Sequence, residues 1–148
     1  MPQNAGRLSH DPGRLPPKSA PRRGQKIVIR VAGYPPFKEA RASLRNPKHP
    51  LYDRFVRQRK SAGKAMRGRR WSEGAIALNF TMFAPGFEKG KGLVDYVGGI
   101  EDTLDGSHGF TFTYLPIVFQ DDCQVCRIES LFKLNPTTEY VLEIEFLQ

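Results

Sequence analysis

An adjacent pair of carboxylates, Asp121-Asp122, follows the apolar stretch Leu115-Pro116-Ile117-Val118-Phe119 and leads into a run that reads as a strand. Carboxylates held side by side repel, and joint ionisation is costly unless a cation lies between them. Oxygen ligands of this kind suit Mg²⁺. Asp95 and Asp102 stand seven apart on the segment before, on one face of a helix, so four carboxylates can converge. Such a cluster fits phosphodiester cleavage, in which Mg²⁺, or Mn²⁺ in its place, polarises the phosphoryl oxygen and activates a water for in-line attack. The same residues also fit a blander reading. Asp-Asp is common at strand ends, and Asp102 and Asp105 suit an exposed helix face.

The partner implied by charge is a polyanion. The 148 residues carry a net charge of +8, unevenly spread. Residues 1–70 hold 19 basic and 3 acidic side chains, whereas residues 71–148 hold 4 basic and 12 acidic ones, so the two parts carry +16 and −8. Lys and Arg that neutralise phosphates release condensed counterions, which makes nucleic acid the natural ligand of the first part. The acidic part suits a divalent cation. Arg54, Arg57, Arg59, Lys60, Lys64, Arg67, Arg69 and Arg70 lie in one segment with almost no acidic neighbour, and Lys89 and Lys91 in a Gly-rich loop add two more candidate phosphate contacts. A solvated helix face is the other reading of that charge run.

The elements that must position these groups read as a small mixed α+β domain in the order strand, helix, strand, helix, strand, strand. Lys26 to Val31 is a β-branched run ended by Gly33 and Pro35-Pro36. A basic loop from Phe37 to His49 follows. Pro50 suits a helix start, and Leu51, Phe55, Ala62 and Met66 recur at helical spacing. Ala75 to Phe83 alternates as a half-buried strand should. Leu93, Val97, Ile100 and Leu104 form the apolar stripe of a second helix, which Asp105-Gly106 ends. After a Gly- and aromatic-rich loop, Ser107 to Tyr114, and the apolar run Leu115 to Phe119, a strand is expected from Gln120 to about Leu134 and another from Tyr140 to Phe146.

Residues 1–25, rich in Pro, Gly, Arg and Lys, hold only Leu8 and Leu15 as large aliphatics and read as a disordered basic tail, leaving residues 26–148 as the domain. No stretch reads as a secretory signal or a membrane span. Cys123 and Cys126 form a lone Cys-x-x-Cys, and His10, His49 and His108 show no metal-ligand spacing. On a strand the two thiols point to opposite faces, so they read as free structural cysteines of a reducing cytoplasm.

Two segments resemble a known family. Asp95-Tyr96-Val97-Gly98-Gly99-Ile100-Glu101-Asp102-Thr103-Leu104-Asp105-Gly106, and then Gln120-Asp121-Asp122-Cys123-Gln124-Val125, are similar to the signature of the RusA family of Holliday junction resolvases. The resemblance implies a RusA-like fold in a homodimer that binds branched double-stranded DNA and nicks four-way junctions with Mg²⁺ in recombination and repair, near the nucleoid. By position it makes Asp102, Asp121 and Asp122 catalytic carboxylates, while Asp95 stands where the family has an asparagine and joins them as a catalytic carboxylate only from a shifted register. The chain departs from the family at the helix start, where Gly92 and Val94 replace two aspartates and Gly98 a lysine. Either Asp95 joins Asp121 and Asp122 as metal ligand from a shifted register, with Lys89 or Lys91 for the lost lysine, or the protein binds junctions without cutting them.

Overall fold

The computed structural model describes residues 19–37, 43–105 and 115–148. Six elements follow one another: β1 (Lys26–Ala32), α1 (Tyr52–Met66), β2 (Ile76–Ala84), α2 (Leu93–Leu104), β3 (Val125–Leu134) and β4 (Glu139–Phe146). The expected order of strands and helices therefore holds, and the domain is of the α+β kind. The four strands form one sheet in the order β1-β4-β2-β3. β2 and β3 run parallel, while β4 lies antiparallel between β1 and β2. Among the described residues no helix is long and apolar enough to cross a membrane.

Strict alternation sets which face is covered. Ile27, Ile29 and Val31 on β1, Tyr140, Leu142, Ile144 and Phe146 on β4, and Ile76, Leu78, Phe80 and Met82 on β2 point into one core. The helices close that core with Ala62 and Met66 from α1 and Tyr96, Ile100 and Leu104 from α2. The intervening residues of β4, Glu139, Val141, Glu143 and Glu145, line the opposite face. The buried set of α2 is wider than the aliphatic stripe in its sequence, because Tyr96, Gly99 and Thr103 share it while Leu93 and Val97 are only partly buried.

Two boundaries differ from the sequence reading. The strand expected from Gln120 begins only at Val125, because Asp122–Gln124 forms a single 3₁₀ turn. The cause is local hydrogen bonding. The Asp121 carboxylate accepts from the Cys123 N–H at 3.0 Å, and the Gln124 side-chain oxygen accepts from the N–H groups of Gln120 and Asp121 at 2.8 and 2.9 Å. Cys123 therefore sits on the turn and only Cys126 on the strand, and both thiols are free and exposed. Upstream, Pro21 is buried and the Gly24 N–H donates to the Phe146 carbonyl at 2.7 Å, so ordered packing starts a few residues before β1. The rest of the expected tail and the loop from residue 106 to 114 lie outside the described residues.

The strand polarities gather several chain ends at one end of the sheet. Lys26 pairs with Glu145, Ile76 with Phe146 and with Val125, so β1, β2 and β3 all begin there and β4 finishes there. Each helix returns the chain to that end, α1 before β2 and α2 before β3.

Gly99 fixes how closely α2 approaches the chain after β1. A Cβ at this position would lie 2.1 Å from the Pro36 carbonyl oxygen and 2.6 Å from the Phe37 Cα. Both neighbours are backbone, which cannot step aside cheaply. Gly98, next to it, has nothing within 4 Å of the same atom. Opposite signs are expected from one chemical change. Gly98→Ala gains up to about 1 kcal/mol from helix propensity, whereas Gly99→Ala loses about 1–3 kcal/mol through overpacking. Urea unfolding of the two variants checks this, and equal shifts would show that α2 does not ride against Pro36.

Candidate functional site

The turn that carries Asp121 and Asp122 is tied down by Gln124. Its amide nitrogen donates to the carbonyls of Ser72 and Gly74 at 2.9 and 2.8 Å, while its oxygen holds the two N–H groups named above. All of the hydrogen-bonding capacity of one side chain thus joins the turn to the lead-in of β2. Phe119, just upstream, forms a parallel bridge with Ser72, and Ser72 donates its N–H to the Val118 carbonyl at 2.8 Å. Ile117 and Val118 in turn donate to the Leu104 carbonyl, the last residue of α2. The end of α2, the segment 117–119 and the acidic turn are one hydrogen-bonded unit.

That unit brings Asp102, Asp105 and Asp122 into one electrostatic neighbourhood. Asp105 is buried, with 4% of its surface exposed. Burial pushes its carboxyl up to about 6, and the nearby charges of Asp102 and Asp122 push the same way, against the pull of Arg45. The Arg45 guanidinium donates to the Asp105 carboxylate at 2.9 Å and to the Asp102 carbonyl at 2.6 Å. Negative charge collects here although the last turn of α2 carries no basic residue of its own, and the helix dipole makes that end unfavourable for carboxylates.

Asp95 is held elsewhere. It stands in the first turn of α2, where its carboxylate accepts from the Gly92 N–H at 2.8 Å. Seven residues of helix separate it from Asp102, about 10 Å along the axis. Among the described residues no three His, Cys, Asp or Glu side chains are grouped so as to hold a metal ion. The four expected carboxylates therefore divide: Asp102 and Asp122 share a neighbourhood with Asp105, Asp121 caps the turn beside them, and Asp95 caps the far end of the helix. No closed three-ligand site is therefore formed among the described residues, and Asp102 and Asp122 would hold Mg²⁺ or Mn²⁺ only together with phosphate oxygens of a bound substrate. The sequence undervalued Asp105, whose signal was the Asp-Gly helix exit, and Arg45, which no spacing singles out.

The expected phosphate contacts divide as well. Arg54 grips Glu88 through two bonds of 2.7 and 2.8 Å, donates to the Pro35 carbonyl and lies 5.8 Å from the ring centres of both Tyr34 and Phe37. Its hydrogen bond holds the Glu88 carboxyl below the usual carboxylate range. Arg57 donates to the Ala32 carbonyl, and Arg59 to those of Thr103 and Leu115. Arg70 pairs with Glu73, and the Lys91 ammonium sits 4.1 Å from the Phe37 ring centre. Lys60, Lys64 and Lys89 are exposed and make no ion pair among the described residues. Arg67 and Arg69 lie at the end of α1, where Arg69 donates to the Met66 and Ala65 carbonyls.

The chain matches no protein-family model and no curated protein. The resolvase resemblance thus rests on the two motif segments, and the structure gives the glutamine of the second a physical task in setting the acidic turn.

Two outcomes follow. Arg54→Ala should cost about 1–3 kcal/mol of stability, the range for breaking a half-buried ion pair, while leaving affinity for nucleic acid unchanged. Denaturant unfolding beside a binding titration separates these. Asp105 should give a stability term that is full below pH 4 and lost as pH rises toward 6. In that window the unfolded chain has already shed the proton that the folded carboxyl keeps. Urea midpoints of the protein, minus those of Asp105→Asn, should fall across it. A flat difference would mean that Asp105 is not raised.

Proposed function

We propose that the protein binds branched double-stranded DNA, as a homodimer matched to the two-fold symmetry of a four-way junction, and that it nicks DNA at the Asp102–Asp105–Asp122 neighbourhood as a metal-dependent endonuclease. The observation that carries this reading is the pairing of opposite charge at one end of the sheet. The carboxylates stand at the end of α2 and on the turn before β3, and Arg67, Arg69 and Arg70 follow the end of α1. A polyanion drawn to the cations arrives beside the carboxylates, the arrangement needed to hold phosphate against an acidic centre. Sequence resemblance adds the class of DNA and the Mg²⁺ or Mn²⁺ requirement.

A second reading is junction binding without cleavage. It is favoured by Asp95, which caps Gly92 instead of standing near Asp122, and by the absence of a three-ligand group among the described residues. Both readings are decided by one assay. A labelled four-way junction and a linear duplex of the same sequence are incubated with Mg²⁺, with Mn²⁺ and with chelator. Paired nicks confined to the junction, dependent on metal and lost in Asp122→Asn while binding persists, are expected of the nuclease. Tight junction binding with no nick under any metal leaves the binding protein. No preference for the junction over the duplex would sink both.

A further inference from the structure

The outer edge of β1 and the flank of α1 enclose a groove of about 720 Å³ that the carboxylate neighbourhood does not share. Its walls carry Lys26 and Arg30 from the strand and Lys64, Arg67 and Arg69 from the helix and its exit, and among the described residues no acidic side chain lines it. Lys26 and Arg30 were not among the cations that the sequence singled out. They belong to a short strand read only for its apolar pattern, and they stand along its edge on the face of the sheet away from the helices.

The floor of the groove is an unpaired strand edge. Among the described residues β1 is the first strand of the sheet and bonds only to β4. Near its two ends the Gly33 N–H donates to Thr138 and the Gln25 carbonyl accepts from Phe146, both at odd-numbered positions. Antiparallel pairing alternates, so Lys26, Val28 and Arg30 turn their backbone N–H groups and carbonyls outward. Arg57 confirms the phase, since it reaches the outward Ala32 carbonyl at 3.1 Å. The groove thus offers backbone donors between two rows of cations. From Lys26 to Arg30 the strand covers about 13 Å, room for about four phosphates of one strand at 3.4 Å per charge.

Arg67 adds a second line of argument. It ends α1 in the left-handed conformation, with φ 52°, and the following Gly68 is left-handed too. Glycine is the usual residue at such a helix exit, because a side chain there is strained. A cation occupies the strained position and lines the groove, where glycine would serve the helix better. Arg30 is shared with Glu139 at 3.1 Å across the sheet, and Arg69 holds helix-end carbonyls, so their charges are fixed in place. Lys26 and Lys64 make no ion pair among the described residues.

We infer that this groove is the track for the phosphate backbone of one DNA strand, with Lys26, Lys64 and Arg67 as its principal contacts and the outward N–H groups of β1 as its floor. The inference rests on the DNA-binding reading above and names where on the surface the strand runs. Cations along a sheet edge have another known use, since they discourage edge-to-edge pairing of copies. The two uses predict different failures.

The test measures binding of the full chain to labelled junction and duplex over a series of salt concentrations, for four proteins. These are the unaltered chain, Lys26→Gln with Lys64→Gln, Arg67→Gly alone, and Arg127→Gln with Lys133→Gln at the opposite edge of the sheet as a control of equal charge. The slope of log affinity against log salt should fall by about 2 in the groove pair and by about 1 in Arg67→Gly, at roughly 0.9 per lost phosphate contact. It should hold in the control. Arg67→Gly relieves a strained backbone, so its thermal midpoint should hold or rise and its slope change cannot come from unfolding. An unchanged slope in either groove variant, with the unaltered chain binding DNA, overturns the track alone. Self-association of the groove pair by sedimentation, with its slope intact, identifies an edge guard instead. Poly-glutamate bound as tightly as DNA overturns the nucleic-acid assignment, and an unaltered chain that binds neither DNA overturns the track together with the reading beneath it.

Discussion

A single buried amide joins the three layers of contact on which the fold depends. Gln58, in the middle of α1, has none of its surface exposed. Its oxygen accepts from the Tyr140 hydroxyl of β4 at 2.7 Å, and its nitrogen donates to the Ile100 carbonyl of α2 at 3.0 Å. A polar side chain so placed is costly unless both ends are satisfied, because each orphaned group forfeits its hydration. Satisfied, it allows one register of α1 against both the central strand and the second helix. Tyr140 also meets Phe80 edge to face at 6.0 Å, so the same contact extends into β2. The helices could slide along an all-aliphatic interface; they cannot slide past this bond without breaking it.

The rigid register matters because the charged groups lie at element ends, where small shifts are amplified. With α1 and α2 locked to one another, the end of α1 and the end of α2 keep a fixed relation to the beginning of β3. Gln124 repeats the device at the surface, with one side chain holding two N–H groups and two carbonyls. The glutamines differ in what they order: Gln58 sets helix against sheet, and Gln124 sets the acidic turn against the strand lead-in.

Much of the fold was legible in the sequence and less of the site, for reasons that lie in the residues. Period-two patterns such as Tyr140, Leu142, Ile144 and Phe146 are read directly, since their burial is decided by the strand's own geometry. Gln58 escaped because a polar residue on an apolar helix face reads as surface until its partners are known. Those partners lie 82 and 42 residues away. The strand start at Gln120 failed because carboxylate and amide side chains competed with the ladder for local N–H groups. Charge runs were the least legible. Arg54 and Lys60 are alike in sequence, yet one is clamped by Glu88 and the other lies exposed, and only the position of Glu88 decides between them.

The end of α2 gathers acids where its dipole disfavours them. A helix end selected for stability alone would carry lysine or arginine in its last turn, to answer the dipole and the open carbonyls. Here the last turn carries Asp102, the next residue after the helix is the buried Asp105, and the positive charge is supplied from a distant loop by Arg45. Arg45 neutralises the innermost carboxylate and binds a helix-end carbonyl. It thereby offsets the burial of one acid while the acids above it, Asp102 and Asp122, still raise that acid's affinity for protons. Burial is the largest cause of the elevation at Asp105, and the negative charges of Asp102 and Asp122 add to it. Carboxylates thus gather at the helix end where the dipole disfavours them, and an arginine from another part of the chain offsets the innermost one.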